Sequence, residues 1–194
     1  MHNYSIDSNE RVSILFFIAL ASIGIMYLIQ LLIQEFPWYL EAPSPFLIFT
    51  FLFWIFNNYL WKVFIKINII KTPNLNGNYE GFLKSSYDEF NAKLSVKLTV
   101  KQSWTQILIT QVTETSKSCS IIASVLMHKK CDPVLIYSYQ NDPGITTSTP
   151  TMHMHYGTCE HTFDKAKETF NATYYSGRDR NTIGEIFLDR IEEN

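Results

Sequence analysis

Two long stretches without a charged side chain, residues 12–33 and 42–61, constrain this chain more than any other feature. About 20 consecutive apolar residues cross the hydrocarbon core of a bilayer as a helix, because about 1.5 Å of rise per residue spans about 30 Å with every backbone amide satisfied internally. Both stretches meet that length, so a wholly soluble protein is excluded. Only 18% of the 194 residues are charged, against about a quarter in a typical soluble domain, and the deficit sits in these runs. The first is too long for the apolar core of a cleaved leader, and Asp7 and Glu10 precede it beside Arg11, the wrong flank for a signal peptide. It is expected to remain as an anchor. Residues 34–45 are too few for a domain, so the two runs read as a helical hairpin with spans at about 12–33 and 44–65.

The connection between the spans carries Glu35 and Glu41 and no Lys or Arg, whereas Lys62, Lys66 and Lys71 follow the second span. The positive-inside rule puts the connection outside and both termini in the cytoplasm. Cys119, Cys131 and Cys159 agree with that placement, being an odd number without a disulfide-framework spacing, as in reducing compartments. Trp38, Tyr39 and Trp61 suit interfacial aromatic belts. Asn57 and Asn58 are the strongly polar pair of the second span. They either hold helices of neighbouring protomers together or lie close to the inner interface. No acidic or basic relay runs through the spans, which argues against an ion pump or coupled transporter.

Beyond Thr72 the pattern changes to alternation. Ala92, Leu94, Val96, Leu98 and Val100 share one face, and Lys93, Ser95, Lys97, Thr99 and Lys101 the other, the period of a half-buried strand. Further runs fall at 79–85, 104–112, 120–128, 134–139, 150–156, 169–175 and 182–191. Turn-rich separators at 86–89, 141–144 and 176–181 suit short antiparallel connections, since parallel crossovers need intervening helices. Only residues 161–169 suggest a turn or two of helix. The expected architecture is a two-helix transmembrane hairpin in residues 1–71 followed, in 72–194, by an all-β antiparallel small barrel of about eight strands, wide enough for packed side chains or one small ligand. A sandwich is the alternative. Asn76-Gly77-Asn78-Tyr79-Glu80-Gly81 resembles the glycine-x-aromatic opening of lipocalin-like barrels, in which the aromatic plugs one end and a cation from the last strand covers it. Arg190 or Arg180 would serve as that cation.

The net charge is −2 overall, and residues 72–194 hold 12 Lys and Arg against 14 Asp and Glu. This argues against polymeric DNA or RNA as a partner, since neutralising its phosphates needs a basic excess. The stripe of Lys93, Lys97 and Lys101 reads as a solvated outer face, with attraction to anionic lipid or to the acidic tail of another protomer as alternatives. There is no phosphate-binding glycine loop, no dinucleotide fingerprint, no His-Glu-x-x-His and no Gly-x-Ser-x-Gly elbow. No catalytic residue is assigned and the chain reads as a non-enzyme. The cluster of His153, His155, Cys159 and His161 matches no zinc spacing, so no metal is expected.

The whole arrangement resembles a known family. A chain of this length with a membrane hairpin and a small barrel opening on Leu75-x-Gly77-x-Tyr79-x-Gly81, with late segments Tyr174-Tyr175-Ser176-Gly177-Arg178-Asp179-Arg180 and Gly184-Glu185-Ile186-Phe187-Leu188-Asp189-Arg190, is similar to the two-transmembrane β-barrel effectors of bacterial CBASS antiphage defence. The resemblance implies a bacterial inner-membrane protein whose barrel binds a cyclic dinucleotide made by a functionally linked nucleotidyltransferase. Binding would drive self-association into homo-oligomers, disruption of the lipid bilayer and death of the infected cell. No cofactor is implied beyond that activating ligand.

Such a ligand presents phosphates and base faces, which call for cations or backbone donors and for aromatic planes. Arg178 and Arg180, flanking the last hairpin, are the phosphate candidates, with a solvated turn as the plainer reading. Tyr79, Tyr87, Trp104 and Tyr174 are the stacking candidates, alongside Tyr137 and Tyr139, each equally at home in the core. Thr110 and Ser124 are hydroxyl candidates if their faces point inward, and His153 and His155 would meet phosphate when protonated. Two other classes compete: a tethered carrier or sensor of an apolar ligand, with a greasy interior, and a scaffold with a solid barrel.

Overall fold

The uncharged runs fold as two helices of 23 residues each, α1 (Glu10–Leu32) and α2 (Ser44–Lys66), about 34 Å long at 1.5 Å per residue. The computed structural model describes residues 1–33, 44–127, 131–144, 153–177 and 180–191, so Trp38, Tyr39, Glu35 and Glu41 lie outside the described residues. The two helices pack on one another, yet only 11% of each apolar window is buried within the chain. Large side chains such as Phe16, Phe17, Phe46 and Phe51 face outward, as lipid-facing positions do and a soluble core helix does not. The second helix changes to a π turn over Phe56–Leu60, and Asn58 in that turn donates its Nδ2–H to Trp54 O at 2.8 Å. Widened turns of this kind arise as single insertions in α-helices.

These helices belong to one unit, Ser8–Lys71, and the strands to another, Met1–Asp7 with Thr72–Asn194. The second is a closed barrel with order β1-β4-β3-β2-β9-β8-β7-β6-β5, formed by β1 (His2–Ile6), β2 (Gly77–Ser85), β3 (Leu94–Gln102), β4 (Gln106–Thr113), β5 (Lys117–Leu126), β6 (Val134–Asp142), β7 (His155–Asp164), β8 (Thr169–Ser176) and β9 (Ile183–Ile191). Strands β2 to β9 run antiparallel to their neighbours, as the short turns require. Their inward faces supply the core, with Val96, Leu98, Val100, Ile107, Ile109, Val125, Leu135, Phe170, Ile186 and Leu188 all nearly inaccessible.

The ninth strand is the departure from the expected eight. The first seven residues belong with the barrel and not with the hairpin. β4 and β5 pair only from Thr110 to Val112 and then diverge, where a bulge interrupts β5 between Ser120 and Ile122 and bends it away. β1 fills the fork, antiparallel to β4 through His2 and Asn3 and parallel to β5 through Tyr4, Ser5 and Ile6. Tyr4 is buried inside, its hydroxyl donating to Trp104 O at 3.1 Å and accepting from Gln102 Nε2 at 3.0 Å. An open edge would be a liability for pairing with other chains, and β1 removes it.

The expected strand at 150–156 and the helical turn after 161 are also corrected. β7 runs from His155 to Asp164 and the turn follows at residues 165–168.

One end of the barrel is sealed as the glycine-x-aromatic opening suggests. Tyr79 is fully buried, donates to Leu75 O at 3.0 Å and packs on Phe170 with ring centroids 4.7 Å apart; burial pushes its hydroxyl pKa up to about 12. Arg190 is the covering cation. Its guanidinium lies 6.0 Å from the Tyr79 ring centroid, donates to Asn76 O at 2.6 Å and pairs with Glu168 at 3.0 Å. The guanidinium crosses directly over Gly77, whose φ of +148° only glycine takes readily. Gln102 Oε1 accepts the Leu75 amide at 2.8 Å.

Deeper in, His161 is completely buried between Tyr137, 3.1 Å from its Nε2, and Phe170. Burial lowers its pKa to about 3. The unfolded chain, with an ordinary imidazole near 6.5, therefore binds one proton more between those values, so stability is fully present above pH 6.5 and is lost as pH falls. Acidifying from pH 6.5 to 5 should remove about 2 kcal/mol of barrel stability through this group. Urea melts of the full chain in detergent at several pH values check it: His161→Phe should flatten the slope by that amount, and an unchanged slope would refute the assignment.

Candidate functional site

At the end opposite Tyr79 the barrel is open. Strand alternation turns Leu83 and Ser85 of β2, Gln111 and Thr113 of β4, Ser118 of β5, Tyr139 and Asn141 of β6, His155 and Cys159 of β7, Tyr174 of β8 and Ile186 of β9 into a cavity of about 480 Å³, within the 300–1,000 Å³ common for small-ligand sites. The rim adds Tyr87, Asp88, Leu94, Thr115, Ser116, Arg180 and Thr182. Apolar at its floor and hydroxyl-rich higher up, the cavity has one guanidinium and one carboxylate among its described lining residues.

Two glycines make room for its aromatic walls. Gly157 sits directly opposite Tyr139, and Gly184 opposite Tyr174. A Cβ at Gly157 would collide with the Tyr139 ring and hydroxyl, and one at Gly184 with the Tyr174 ring. Each tyrosine therefore lies across the glycine of the neighbouring strand, an arrangement that covers exposed strand backbone and holds the ring in place. Burial raises both hydroxyl pKa values, so the rings stay neutral hydrogen-bonding groups. Below them burial pushes the Cys159 thiol up to about 12, which leaves it unreactive.

Arg180 reaches over the rim with its guanidinium 5.9 Å from the Tyr87 ring centroid, a cation–π distance. The backbone N–H of Tyr87 donates to Ser85 Oγ at 3.2 Å, fixing this turn. His155 is buried and its Nδ1–H donates to His153 O at 2.8 Å, leaving Nε2 as the acceptor of the neutral ring. Burial first, and the nearby Arg180 charge after it, lower the His155 pKa. The arrangement can offer an anion one guanidinium, and a planar ring system aromatic faces and several neutral donors and acceptors.

Of the residues picked from the sequence, Tyr87, Tyr139, His155, Tyr174 and Arg180 come together here. Tyr79 and Trp104 do not. Both are core residues of the sealed end, Trp104 at the β3–β4 connection. Thr110 and Ser124 lie on the outer face, because Ile109 and Gln111, and Ala123 and Val125, take the inward positions beside them. His153 precedes β7 and so does not share a strand face with His155; it contributes only its carbonyl to that ring. Arg178 lies outside the described residues. His155 and His161 are six strand positions apart, about 20 Å at 3.3 Å per residue, too far to share an ion, and no metal-binding cluster is found among the described residues.

Asn141, Gln111, Ser118 and Asp88 line the cavity without having been singled out. For Asn141, Gln111 and Ser118 the signal is a polar side chain at a position that alternation assigns to the inside, on strands that share one mouth, whereas Asp88 lies in the turn after β2, where alternation says nothing.

Comparison with known proteins agrees with this geometry. Residues 70–190 match the family model described as Cap15, cyclic dinucleotide receptor domain. CD-NTase-associated protein 15 of Yersinia aleksiciae is 29% identical over 139 residues, 71% of this chain and 64% of the relative, so the match spans less than two thirds of that protein. The family match extends over more than half of the chain and takes in every strand from β2 to β8 and nearly all of β9. The resemblance to CBASS effectors is thereby borne out, and the chain belongs to the Cap15 cyclic dinucleotide receptor domain family.

Proposed function

We propose that the barrel cavity is the receptor site for a cyclic dinucleotide, and that its occupation makes the chain self-associate and disrupt the bacterial inner membrane, killing the infected cell as antiphage defence. The observation that carries this reading is the open end of the barrel: a cavity of about 480 Å³, mostly apolar and aromatic in its lining, with Tyr87, Tyr139 and Tyr174 as stacking planes and Arg180 as the phosphate-pairing cation. Membership of a cyclic dinucleotide receptor family supports the ligand class. The relative's name, which associates it with a CD-NTase, supports a linked nucleotidyltransferase as the source. Two outward-facing apolar helices support the membrane as target, with the barrel in the cytoplasm by the lysines that follow α2. One hairpin cannot enclose a pore, so assembly of several copies is required, with Asn57 and Asn58 as helix-association candidates. Each act belongs to a receptor and not to an enzyme. The guanidinium of Arg180 and the hydroxyls and amides that line the cavity beside its apolar surface favour a ligand with charged and polar groups over a purely apolar one, and the cavity volume disfavours a solid scaffold.

The test is thermal unfolding of the full chain in detergent against cyclic di-AMP, cyclic di-GMP, cyclic di-UMP and mixed-base counterparts. A ligand at about 100 times its Kd stabilises by about 2.7 kcal/mol, a rise of about 5–10 °C. A rise with one or two members supports the reading. A flat panel over a cooperative melt, together with a rise on adding fatty acid, would replace it by the carrier.

A further inference from the structure

The cavity holds a polar side chain that the phosphate and stacking roles leave unused. Asn141 is only 7% exposed, and its Nδ2 donates to Ser116 Oγ at 3.0 Å and to Ser118 Oγ at 2.8 Å. Its Oδ1 is buried and meets no donor among the described residues. The β4–β5 turn supports this direction of the amide. Thr113 Oγ1 donates to Ser116 O at 3.3 Å and accepts from the Ser116 amide at 3.2 Å. The two hydroxyls also meet at 3.1 Å. When Thr113 gives its proton to the Ser116 carbonyl, Ser116 Oγ donates to Thr113 and accepts from Asn141. In this arrangement Nδ2 faces the serines and Oδ1 is the wanting acceptor.

A buried acceptor without a partner is destabilising, which makes it a place where a ligand donor is favoured. We propose that Asn141 Oδ1 is the specificity-determining contact of the cavity, accepting a hydrogen bond from an N–H on the hydrogen-bonding edge of a nucleobase. The proposal rests on the cyclic-dinucleotide reading above and deepens it. Phosphates offer only acceptors and cannot satisfy Oδ1, whereas every common base carries an N–H on its pairing edge. The division of labour follows: Arg180 at the rim takes charge, Tyr139 and Tyr174 take ring faces, and Asn141, next to Tyr139 by two positions on the same strand face, reads the edge. Sites built to hydrogen-bond an N–H reject analogues that lack it more strongly than apolar pockets reject a change of size.

Calorimetric titration of the full chain in detergent tests this with cyclic di-UMP, cyclic di-GMP and cyclic di-AMP, and with their counterparts methylated at uracil N3, at guanine N1 and doubly at adenine N6. The wild-type chain should bind at least one parent ligand and prefer it to its methylated form by about 10-fold to 100-fold. Asn141→Leu should bind both forms weakly and alike. Ser116→Ala, which frees the amide to rotate and leaves the cavity wall otherwise intact, should reduce the preference several-fold while the ligand-free melt stays near wild type. A preference that survives Asn141→Leu, or equal binding of parent and methylated ligands by the wild type, overturns the role of Asn141 and leaves the receptor reading standing. Failure of the wild type to bind any of the six overturns both.

Discussion

Replacing Tyr4 with alanine should lower the melting temperature of the barrel by about 10 °C or more. The residue lies in a five-residue strand before the apolar helix α1, yet it is 3% exposed inside the barrel. Truncating a buried aromatic costs about 3–5 kcal/mol in lost transfer energy and residual cavity. For Tyr4 the loss of two hydrogen bonds adds to that, since Gln102 Nε2 and Trp104 O both meet its hydroxyl. At about 2–8 °C per kcal/mol for domains of roughly this size, the shift is far outside experimental scatter. Tyr4→Phe keeps the ring and should cost only a small part of it. A chain beginning at residue 72 lacks β1 altogether, so the edges of β4 at Gln106 and Ile107 and of β5 at Ala123 to Val125 would be unpaired. Such a fragment should be less stable than the full chain and prone to associate through those edges. Near-UV circular dichroism melts of the full chain and its variants in detergent give the values. A Tyr4→Ala melt within about 2 °C of wild type would show that β1 contributes nothing to the fold.

The reasons β1 escapes a reading of the sequence are physical. Residues 2–6 alternate around only two apolar inward positions, Tyr4 and Ile6, too short a signal to separate from the flank of an anchor. Its existence depends on the fork between β4 and β5, which is a tertiary fact. The same bulge explains the error at Ser124. Ser118 and Ser120 face inward, and uninterrupted alternation would keep residue 124 on that face. One extra residue at the bulge reverses the parity, so that Ala123 and Val125 are buried instead. β7 is obscure for a different reason. Its inward series, His155, Gly157, Cys159, His161 and Phe163, is mostly polar or small, and the interior accepts it because Tyr139 covers Gly157 and Tyr137 meets His161. By contrast the two long apolar helices, β3 and the Tyr79 plug were legible, because each rests on a pattern of apolar residues or a glycine-aromatic spacing that few other folds tolerate. Arg180, Tyr87, Tyr174 and His155 were chosen for their chemistry. What the sequence alone could not supply was that one mouth gathers them.

Arg180→Ala should weaken cyclic dinucleotide binding by about 10-fold to 100-fold, the value of about 1.5–3 kcal/mol for hydrogen bonds to charged groups, while leaving the ligand-free melt unchanged. Arg180 is the single Lys or Arg among the described residues lining the cavity, and Asp88 the single carboxylate. A ligand with two phosphodiesters would bring two negative charges to a wall whose other described lining residues, Asp88 apart, are uncharged, so the guanidinium is expected to carry most of the charge recognition. His155 cannot take its place near neutral pH, because burial and Arg180 itself hold its pKa down. Removing Arg180 relieves that second effect, so the variant's residual binding should improve on acidification more than wild-type binding does. Arg180→Lys should recover part of the affinity and not all, since an ammonium lacks the planar fork that grips two phosphate oxygens and stacks on Tyr87. Raising the salt concentration should weaken wild-type binding more than that of Arg180→Ala, because the variant has lost the charge that salt screens. Calorimetry of the full chain at two salt concentrations and two pH values measures all of these. Equal affinity and equal salt dependence in wild type and Arg180→Ala would remove Arg180 from the site and move phosphate recognition to the hydroxyls of β4, β5 and their turn.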